Sequence, residues 1–356
     1  MSATWGNKFK ITVFGESHGN AIGVVIDGLP AGFKIDMTAL NSQMLRRAPG
    51  RDKAATTRVE ADTPQILSGM LNGNTTGAPL CAIIGNTNTK SQDYSNLMLC
   101  PRPAHSDYTA NVKFNGFNDV RGGGNFSGRL TAPIVFAGSI ARQILEQMGV
   151  VISAHISSIK GIEDKCFDTV NADLQLMQEL SQSNFPLIDK NLESEMRDVI
   201  EAARLDGDSV GGTVECMVSG INAGLGSPMF DGVEGVISSI IFSIPAVKGI
   251  EFGAGFELAN MYGSQSNDEF NISNGKIVTD TNNCGGILGG ITNGMPIVFN
   301  TVIKPTPSIS KTQQTVNLRT MQVEQINING RHDPCIVPRA VPVIEAATAI
   351  AIMNIL

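Results

Sequence analysis

Glycine is the residue that most restricts what this chain can fold into. The sequence of 356 residues has 38 glycines, many of them in pairs or triplets: Gly122-Gly123-Gly124, Gly211-Gly212, Gly285-Gly286 and Gly289-Gly290. Glycine adopts left-handed backbone conformations at no steric cost and allows a ligand to approach the backbone closely. These clusters therefore predict tight turns between short elements, or backbone that contacts a ligand.

Strand patterns lie between these turns. Short apolar runs and alternating residues predict strands at 11–14, 22–26, 213–218 and 296–303. Hydrophobic residues make up 42% of the chain and charged residues 17%, which is ample for a buried core. No Ser/Gly-only, Pro-rich or single-sign charged run separates two cores, so we predict a single domain over 1–356.

Helical spacing is clear in three places. Thr131 as N-cap and Pro133 in the first turn predict a helix that ends at Gly149. Further helices are predicted over 192–203 and, buried at the end of the chain, over 340–356. The polar segment 164–191 is interpreted as a helical surface insertion. Together with the strand patterns, these helices predict a fold in which sheets and helices form layers.

Charge and cysteine usage exclude several classes of protein. The net charge of −7, from 26 basic and 33 acidic residues, excludes the broad basic surface of a nucleic-acid binder, so an anionic ligand needs a local arginine cluster. The six cysteines show no C-x-x-C spacing and the first residues form no apolar signal, which favours reduced thiols in the cytoplasm over disulfides or a metal site. The apolar 340–356 segment contains Glu345 and is too short for a membrane span.

Three of the four histidines share polar settings rich in glycine or proline: His18, His105 and His332. His155 lies in an alternating strand pattern and is predicted to be structural. A lone histidine is more often a hydrogen-bonding residue than a catalyst. The repeated setting, with Arg102 and Arg331 beside two of the histidines, indicates one shared anionic ligand.

The pentapeptide Gly15-Glu16-Ser17-His18-Gly19 also satisfies the G-x-S-x-G elbow of hydrolases, with Ser17 as nucleophile. An elbow needs several strands before it and a helix after it, whereas here a strand pattern follows and little precedes. Neighbouring side chains on extended backbone point to opposite faces, so Ser17 and His18 do not form a pair by adjacency. A polar turn between two strands is the default interpretation of this pentapeptide alone.

Two further segments have alternative interpretations. The glycine triplet and the start of the helix at Thr131 form either a phosphate cradle or an ordinary loop; the Walker A match fails because Arg129-Leu130 replaces Lys-Ser/Thr. The early basic residues form either a solvated face or a lid over an anion: Arg46, Arg47, Arg51, Lys53 and Arg58.

Five motifs, in this order along nearly the whole chain, resemble the chorismate synthase family. They are Gly15 to Gly19, Arg102-Pro103-x-His105, Gly124-x-x-Ser127-Gly128-Arg129-x-Thr131, Gly285 to Gly290, and Arg331-His332-Asp333-Pro334-Cys335 with Glu345. The resemblance implies an α+β fold, a β-α-β sandwich with antiparallel sheets packed between helices. It also implies a homotetramer.

The implied activity is that of a shikimate-pathway lyase in aromatic amino-acid biosynthesis. It converts 5-enolpyruvylshikimate 3-phosphate to chorismate by a 1,4-elimination of phosphate, with reduced FMN and no net oxidation. The sequence leaves open whether the chain reduces FMN itself with NADPH or depends on an external flavin reductase.

The resemblance also assigns residues. His18 would be the general acid at the departing phosphate, His105 would stabilise the reduced flavin, and Asp333 would assist removal of the flavin proton, with Ser17 and Ser127 in the same catalytic group. Substrate anions would be held by Arg47, Lys53, Arg58, Arg102, Arg129 and Arg331. FMN would contact Asn125, Phe126, Ser127, Pro245, Ala246, Gly289, Lys304, Pro305, Thr306, Pro307, Ser308 and Arg331.

Some positions differ from the family pattern. The usual Arg-Ser-Ser-Ala-Arg-Glu run is here Asn125-Phe126-Ser127-Gly128-Arg129-Leu130, which has one cation and one carboxylate fewer. Pro245, Ala104 and Lys53 replace the usual asparagine, glycine and arginine. These differences favour a second hypothesis, a homologue that binds flavin or a phosphorylated ligand with weak or no turnover.

Overall fold

A computed structural model describes residues 3–50, 62–86, 97–328 and 333–356. The strands are β1 Thr4–Trp5, β2 Lys10–Gly15, β3 Ala21–Asp27, β4 Pro64–Ser68, β5 Met70–Leu71, β6 Asn74–Thr75, β7 Leu80–Gly85, β8 Val151–Ile159, β9 Ile162–Glu163, β10 Gly212–Ser219, β11 Val247–Phe252, β12 Phe270–Ser273, β13 Lys276–Thr279, β14 Ile287–Leu288, β15 Ile291–Thr292, β16 Ile297–Ile303, β17 Gln313–Asn317 and β18 Gln322–Ile326. The helices are α1 Met37–Arg47, α2 Asp107–Lys113, α3 Thr131–Gln147, α4 Leu174–Leu180, α5 Glu193–Leu205, α6 Val233–Ile241, α7 Gly263–Ser266 and α8 Val337–Ile355.

Two antiparallel sheets of five strands dominate the fold. The first has the order β1-β2-β3-β7-β4 and the second the order β11-β16-β10-β8-β9. In the first sheet Ile22, Val24 and Ile26 of β3 point to one face and are buried, as the period of two residues in a strand requires. The strands predicted at 11–14, 22–26, 213–218 and 296–303 are confirmed.

A layer of helices lies between the two sheets. Helix α3 contacts β2, β3 and β7, α8 contacts β8 and β10, and α3 and α8 pack on each other. Gly138 allows this close packing, because a Cβ there would lie 2.4 Å from Cα of Ala346. The order is therefore sheet, helices, sheet, which confirms the predicted α+β class and β-α-β sandwich.

The helix ends differ slightly from the sequence prediction. Thr131 is the first residue of α3 and not its N-cap; a 3₁₀ turn from Gly128 to Leu130 precedes it, and Ser127 caps that turn. The predicted terminal helix is α8, which is buried along most of its length. With 19 residues it is longer than predicted and, contrary to the prediction, long and apolar enough to cross a membrane, but 78% of its 18-residue apolar window is buried inside the protein.

The segment 164–191 is helical at α4 and lies at the surface, as predicted, but it also buries apolar side chains that its polarity did not predict. Phe167 and Met177 pack on Met217 and Val298, on the face of the second sheet opposite the helix layer. Helix α4 thus covers this sheet from outside. His155 is fully buried there, with Nε2 2.8 Å from Glu215 and Nδ1 3.1 Å from Asp164, an environment that agrees with a structural role.

Candidate active site

A cavity of about 660 Å³ opens beside the N-terminal ends of α3 and α8. Sites for small ligands typically have this size. Its walls come from six separate segments: the end of α1, the loop before α2, the stretch from the glycine triplet to the start of α3, the loop between α6 and β11, the loop after β16 and the start of α8. Chain segments that are distant in sequence therefore meet at one site.

A buried pair of arginines forms one wall. Nη1 of Arg47 and Nη1 of Arg129 each donate to one carboxylate oxygen of Asp62. Burial lowers the pKa of Arg47 to about 10, although Asp62 acts to raise it. Burial also acts to raise the pKa of Asp62, but the two guanidinium groups outweigh this effect and hold that pKa below its usual value. Arg47 and Asp62 therefore form an ion pair at neutral pH.

Other bonds fix the direction of these guanidinium groups. Arg47 donates from Nε to Oγ1 of Thr131 and from Nη2 to the carbonyl of Gly128, both at 3.1 Å. Arg129 donates from Nε to Oδ1 of Asn86 at 3.0 Å. Both arginines are buried and line the cavity, so they form a local cationic surface in an acidic protein.

A second wall contains Arg102, Asp107 and His105. Arg102 donates from Nε and Nη2 to the two oxygens of Asp107, at 2.7 and 2.8 Å. Nδ1 of His105 lies 2.6 Å from Oδ1 of the same carboxylate, which places the Nδ1 proton toward Asp107. Burial alone would raise the pKa of Asp107, but hydrogen bonds from Arg102 and His105 hold it well below its usual value. Asp107 thus orients both side chains.

His18 lies behind the glycine triplet. It is buried, and its Nδ1 is 3.3 Å from Oγ of Ser17. A Cβ on Gly122 would lie 2.3 Å from Cε1 of His18 and 2.8 Å from Oγ of Ser17. Gly122 itself lines the cavity, so this glycine lies between the imidazole and the cavity. Its φ of +58° is in the left-handed region that favours glycine.

Another part of the cavity wall carries apolar side chains. Phe126 at the rim contacts the edge of Phe114, with ring centroids 6.2 Å apart. Pro245, Ala246 and Pro307 also line this side. Lys304 and Lys248 add two cations there; burial lowers the pKa of Lys304, and Lys248 acts in the same direction.

Asp333 and Arg339 lie at the start of α8. Nη2 of Arg339 donates to Asp333 at 2.5 Å. Nε of Arg339 is buried without a hydrogen-bond partner among the described residues, and Oγ1 of Thr306 on the cavity wall has none either. Buried polar atoms of this kind usually bind water or a ligand.

The comparisons with known proteins decide the family. The family model for chorismate synthase matches residues 9–356. The chain belongs to the chorismate synthase family. A "Chorismate synthase" of Dehalococcoides mccartyi is 46% identical over 355 residues, covering 100% of this chain and 96% of the relative. One of Thermococcus gammatolerans is 44% identical over 350 residues, covering 98% and 96%.

A solved structure, "Crystal Structure of Chorismate Synthase", agrees in fold. It superposes with a TM-score of 0.77 at 28% identity and covers 99% of this chain and 92% of that chain. The family therefore spans essentially the whole sequence. The full-length match to relatives named chorismate synthase does not favour the non-catalytic homologue that the Asn125–Leu130 segment suggested.

Most residues assigned by the family resemblance meet at the cavity: Arg47, Arg102, His105, Asn125, Phe126, Ser127, Arg129, Pro245, Ala246, Lys304, Thr306, Pro307, Ser308 and Asp333. Ser17 and His18 lie one layer behind it, and Pro305 packs near Gly211. Gly289 lies in the exposed turn between β14 and β15 and does not line the cavity. Lys53, Arg58 and Arg331 lie outside the described residues.

Several residues of the site were not predicted from the sequence. Asp62, Asp107 and Arg339 belong to none of the five motifs. A spacing signal existed for Asp107, because a carboxylate five residues after Arg102 is close enough to pair with it. No such signal existed for Asp62, which pairs with arginines 15 and 67 residues away.

Proposed function

We propose that this cavity binds 5-enolpyruvylshikimate 3-phosphate beside reduced FMN and releases phosphate to give chorismate. The observation that carries the proposal is the convergence of Arg47, Arg102 and Arg129 on one cavity in a protein of net charge −7. The substrate is multiply anionic, and guanidinium groups bind phosphate and carboxylate through paired hydrogen bonds. Lys53, Arg58 and Arg331 are proposed to complete this cationic surface.

We propose His18 as the acid that protonates the departing phosphate. Its buried imidazole lies next to Gly122, which lines the cavity and has no side chain to block the approach of a phosphate oxygen. Ser17, with Oγ near Nδ1 of His18, would orient the ring. Ser127 is proposed to belong to the same catalytic group; it lines the cavity, and its Oγ accepts from the backbone N–H of Arg129 at 3.3 Å.

The residues present fit a flavin. An apolar side formed by Phe126, Pro245 and Ala246 suits a flat ring, and Lys304 and Lys248 suit its phosphate. When bound, reduced FMN would supply the electron-rich ring that promotes loss of the phosphate without net oxidation. On the protein side, His105 holds its proton on Nδ1 toward Asp107, which leaves Nε2 for the ligand, and Asp333 is the proposed proton acceptor.

An anaerobic turnover assay tests the proposal. The purified protein, mixed with reduced FMN and 5-enolpyruvylshikimate 3-phosphate, should form inorganic phosphate and chorismate in equal amounts. Chorismate is measured by its absorbance. Arg102→Gln should lose most of this activity, whereas Arg204→Gln, which removes an exposed arginine of α5, should not. Folded protein that binds FMN but forms neither product would refute the proposal.

Replacing reduced FMN by oxidised FMN and NADPH shows whether an external reductase is needed. The homotetramer and the cytoplasmic location stay predictions.

A further inference from the structure

Asp62 is the buried carboxylate that joins Arg47 to Arg129. It lies just before β4 with a φ of +48°, a left-handed conformation that few residues other than glycine adopt. Its side chain is 0% exposed, and those of the two arginines are 2% and 3% exposed. The carboxylate gives one oxygen to each guanidinium, so its position determines how the two groups lie relative to each other.

The electrostatics show why a carboxylate is needed between them. Arg129 and Arg339 each act to lower the pKa of Arg47, which means that the neighbouring cations destabilise one another. Asp62 acts in the opposite direction on Arg47. Two buried guanidinium groups without this carboxylate would repel each other and turn apart.

The remaining bonds of Arg47 indicate what the arrangement is for. A guanidinium has five N–H donors, and Asp62, Thr131 and Gly128 together accept from three positions of Arg47. The group is thus held from the protein side while it lines the cavity. A ligand anion that reaches it finds a cation whose direction is already set.

We propose that Asp62 is a positioning residue, which holds Arg47 and Arg129 in the relative orientation that binds one anionic group of the substrate. The carboxylate does not touch the reacting atoms in this proposal and acts only through the two arginines. The inference rests on the proposed function for its kinetic test, and on the chain alone for its structural test.

The kinetic test uses Asp62→Asn, which keeps the shape and removes the charge. Because the arginines bind the anion in the ground state and the transition state alike, KM should rise about tenfold or more while kcat changes less than about threefold. The matched control is Asp164→Asn, a buried carboxylate beside His155, which should lower Tm and leave KM unchanged. A folded Asp62→Asn enzyme with the KM of the wild type would overturn the proposal.

Chemical rescue separates positioning from general damage. Asp62→Ala leaves a space the size of a carboxylate between two cations, so added formate should lower its KM and have no effect on Asp164→Asn. No response to formate would count against the proposal.

Asp62→Glu provides a further test if neither variant folds. It retains the charge but displaces the carboxylate by one methylene, so its KM should rise about threefold or more. An unchanged KM would overturn the proposal.

A crystal structure of Asp62→Asn tests the inference without substrate. We expect the guanidinium groups of Arg47 and Arg129 to move apart, and unchanged positions would refute the positioning role. If the wild-type chain gave no turnover while these groups did separate in the variant, the proposed function would fail and the role of Asp62 would stand.

Discussion

Gly122→Ala tests whether the glycine triplet positions His18 for catalysis. The new Cβ would lie 2.3 Å from Cε1 and 2.4 Å from Nδ1 of His18, whereas an ordinary contact begins at 3.4 Å. The imidazole therefore has to retreat by about 1 Å, and a displacement of about 1 Å of a catalytic group costs roughly a hundredfold in rate. Alanine at a φ of +58° adds about 1 kcal/mol of backbone strain.

The assay is anaerobic turnover at saturating substrate, with thermal unfolding measured on the same samples. Gly73→Ala is the matched control, because Gly73 has a φ of +82° and no heavy atom lies within 4 Å of the point that its new Cβ would occupy. Both variants should have a slightly lower Tm, because both place alanine at a positive φ, but only Gly122→Ala should have a lower kcat. A Gly122→Ala enzyme that unfolds like the control and turns over like the wild type would refute the proposed place of His18.

Three other outcomes are expected. Asp107→Asn should lower kcat about a hundredfold or more, because His105 loses the acceptor that fixes its Nδ1 proton; the single-turnover rate measures this loss. His155→Gln should destabilise the fold by about 3 kcal/mol, since it breaks a buried ion pair. Burial lowers the pKa of His155, but two carboxylates outweigh this effect and raise it. This stabilisation is complete below the unfolded pKa of about 6.5 and is lost as pH rises through the higher folded pKa, so urea unfolding of the two proteins should converge at high pH. Burial raises the pKa of Cys335 to about 12, so mass spectrometry should find this thiol unlabelled after brief treatment of the native protein with N-ethylmaleimide.

Local patterns predicted the elements of this fold because each element follows its own periodicity. The alternation in β3 and the apolar spacing in α3 are properties of neighbouring residues, and both elements form where the sequence placed them. The segment 164–191 contains a helix, as predicted, but the burial of Phe167 and Met177 was not predicted. They are buried only because Met217 and Val298 lie beneath them. Burial of that kind depends on tertiary contacts.

The same distinction applies to the site. The family motifs include Arg102, Arg129 and His105 on the cavity wall, but of the carboxylates paired with the cations there they include only Asp333. Asp107 pairs with Arg102 over five residues, and Asp333 pairs with Arg339 over six, so both pairings are visible in the sequence once the helices are known. Asp62 reaches its arginines only through the folded sheet, and no local pattern predicts that contact.

These internal carboxylates also explain how an acidic protein holds a site for anions. Each cation on the cavity wall that pairs with Asp62, Asp107 or Asp333 has its direction set before a ligand arrives. Groups fixed in this way lose little conformational freedom when an anion binds, and such preorganisation increases affinity. Neutralising one carboxylate would increase the positive charge of the cavity and still weaken productive binding, because orientation is lost. We therefore expect the orientation of the cations, more than their number, to determine the affinity of the proposed site for its substrate.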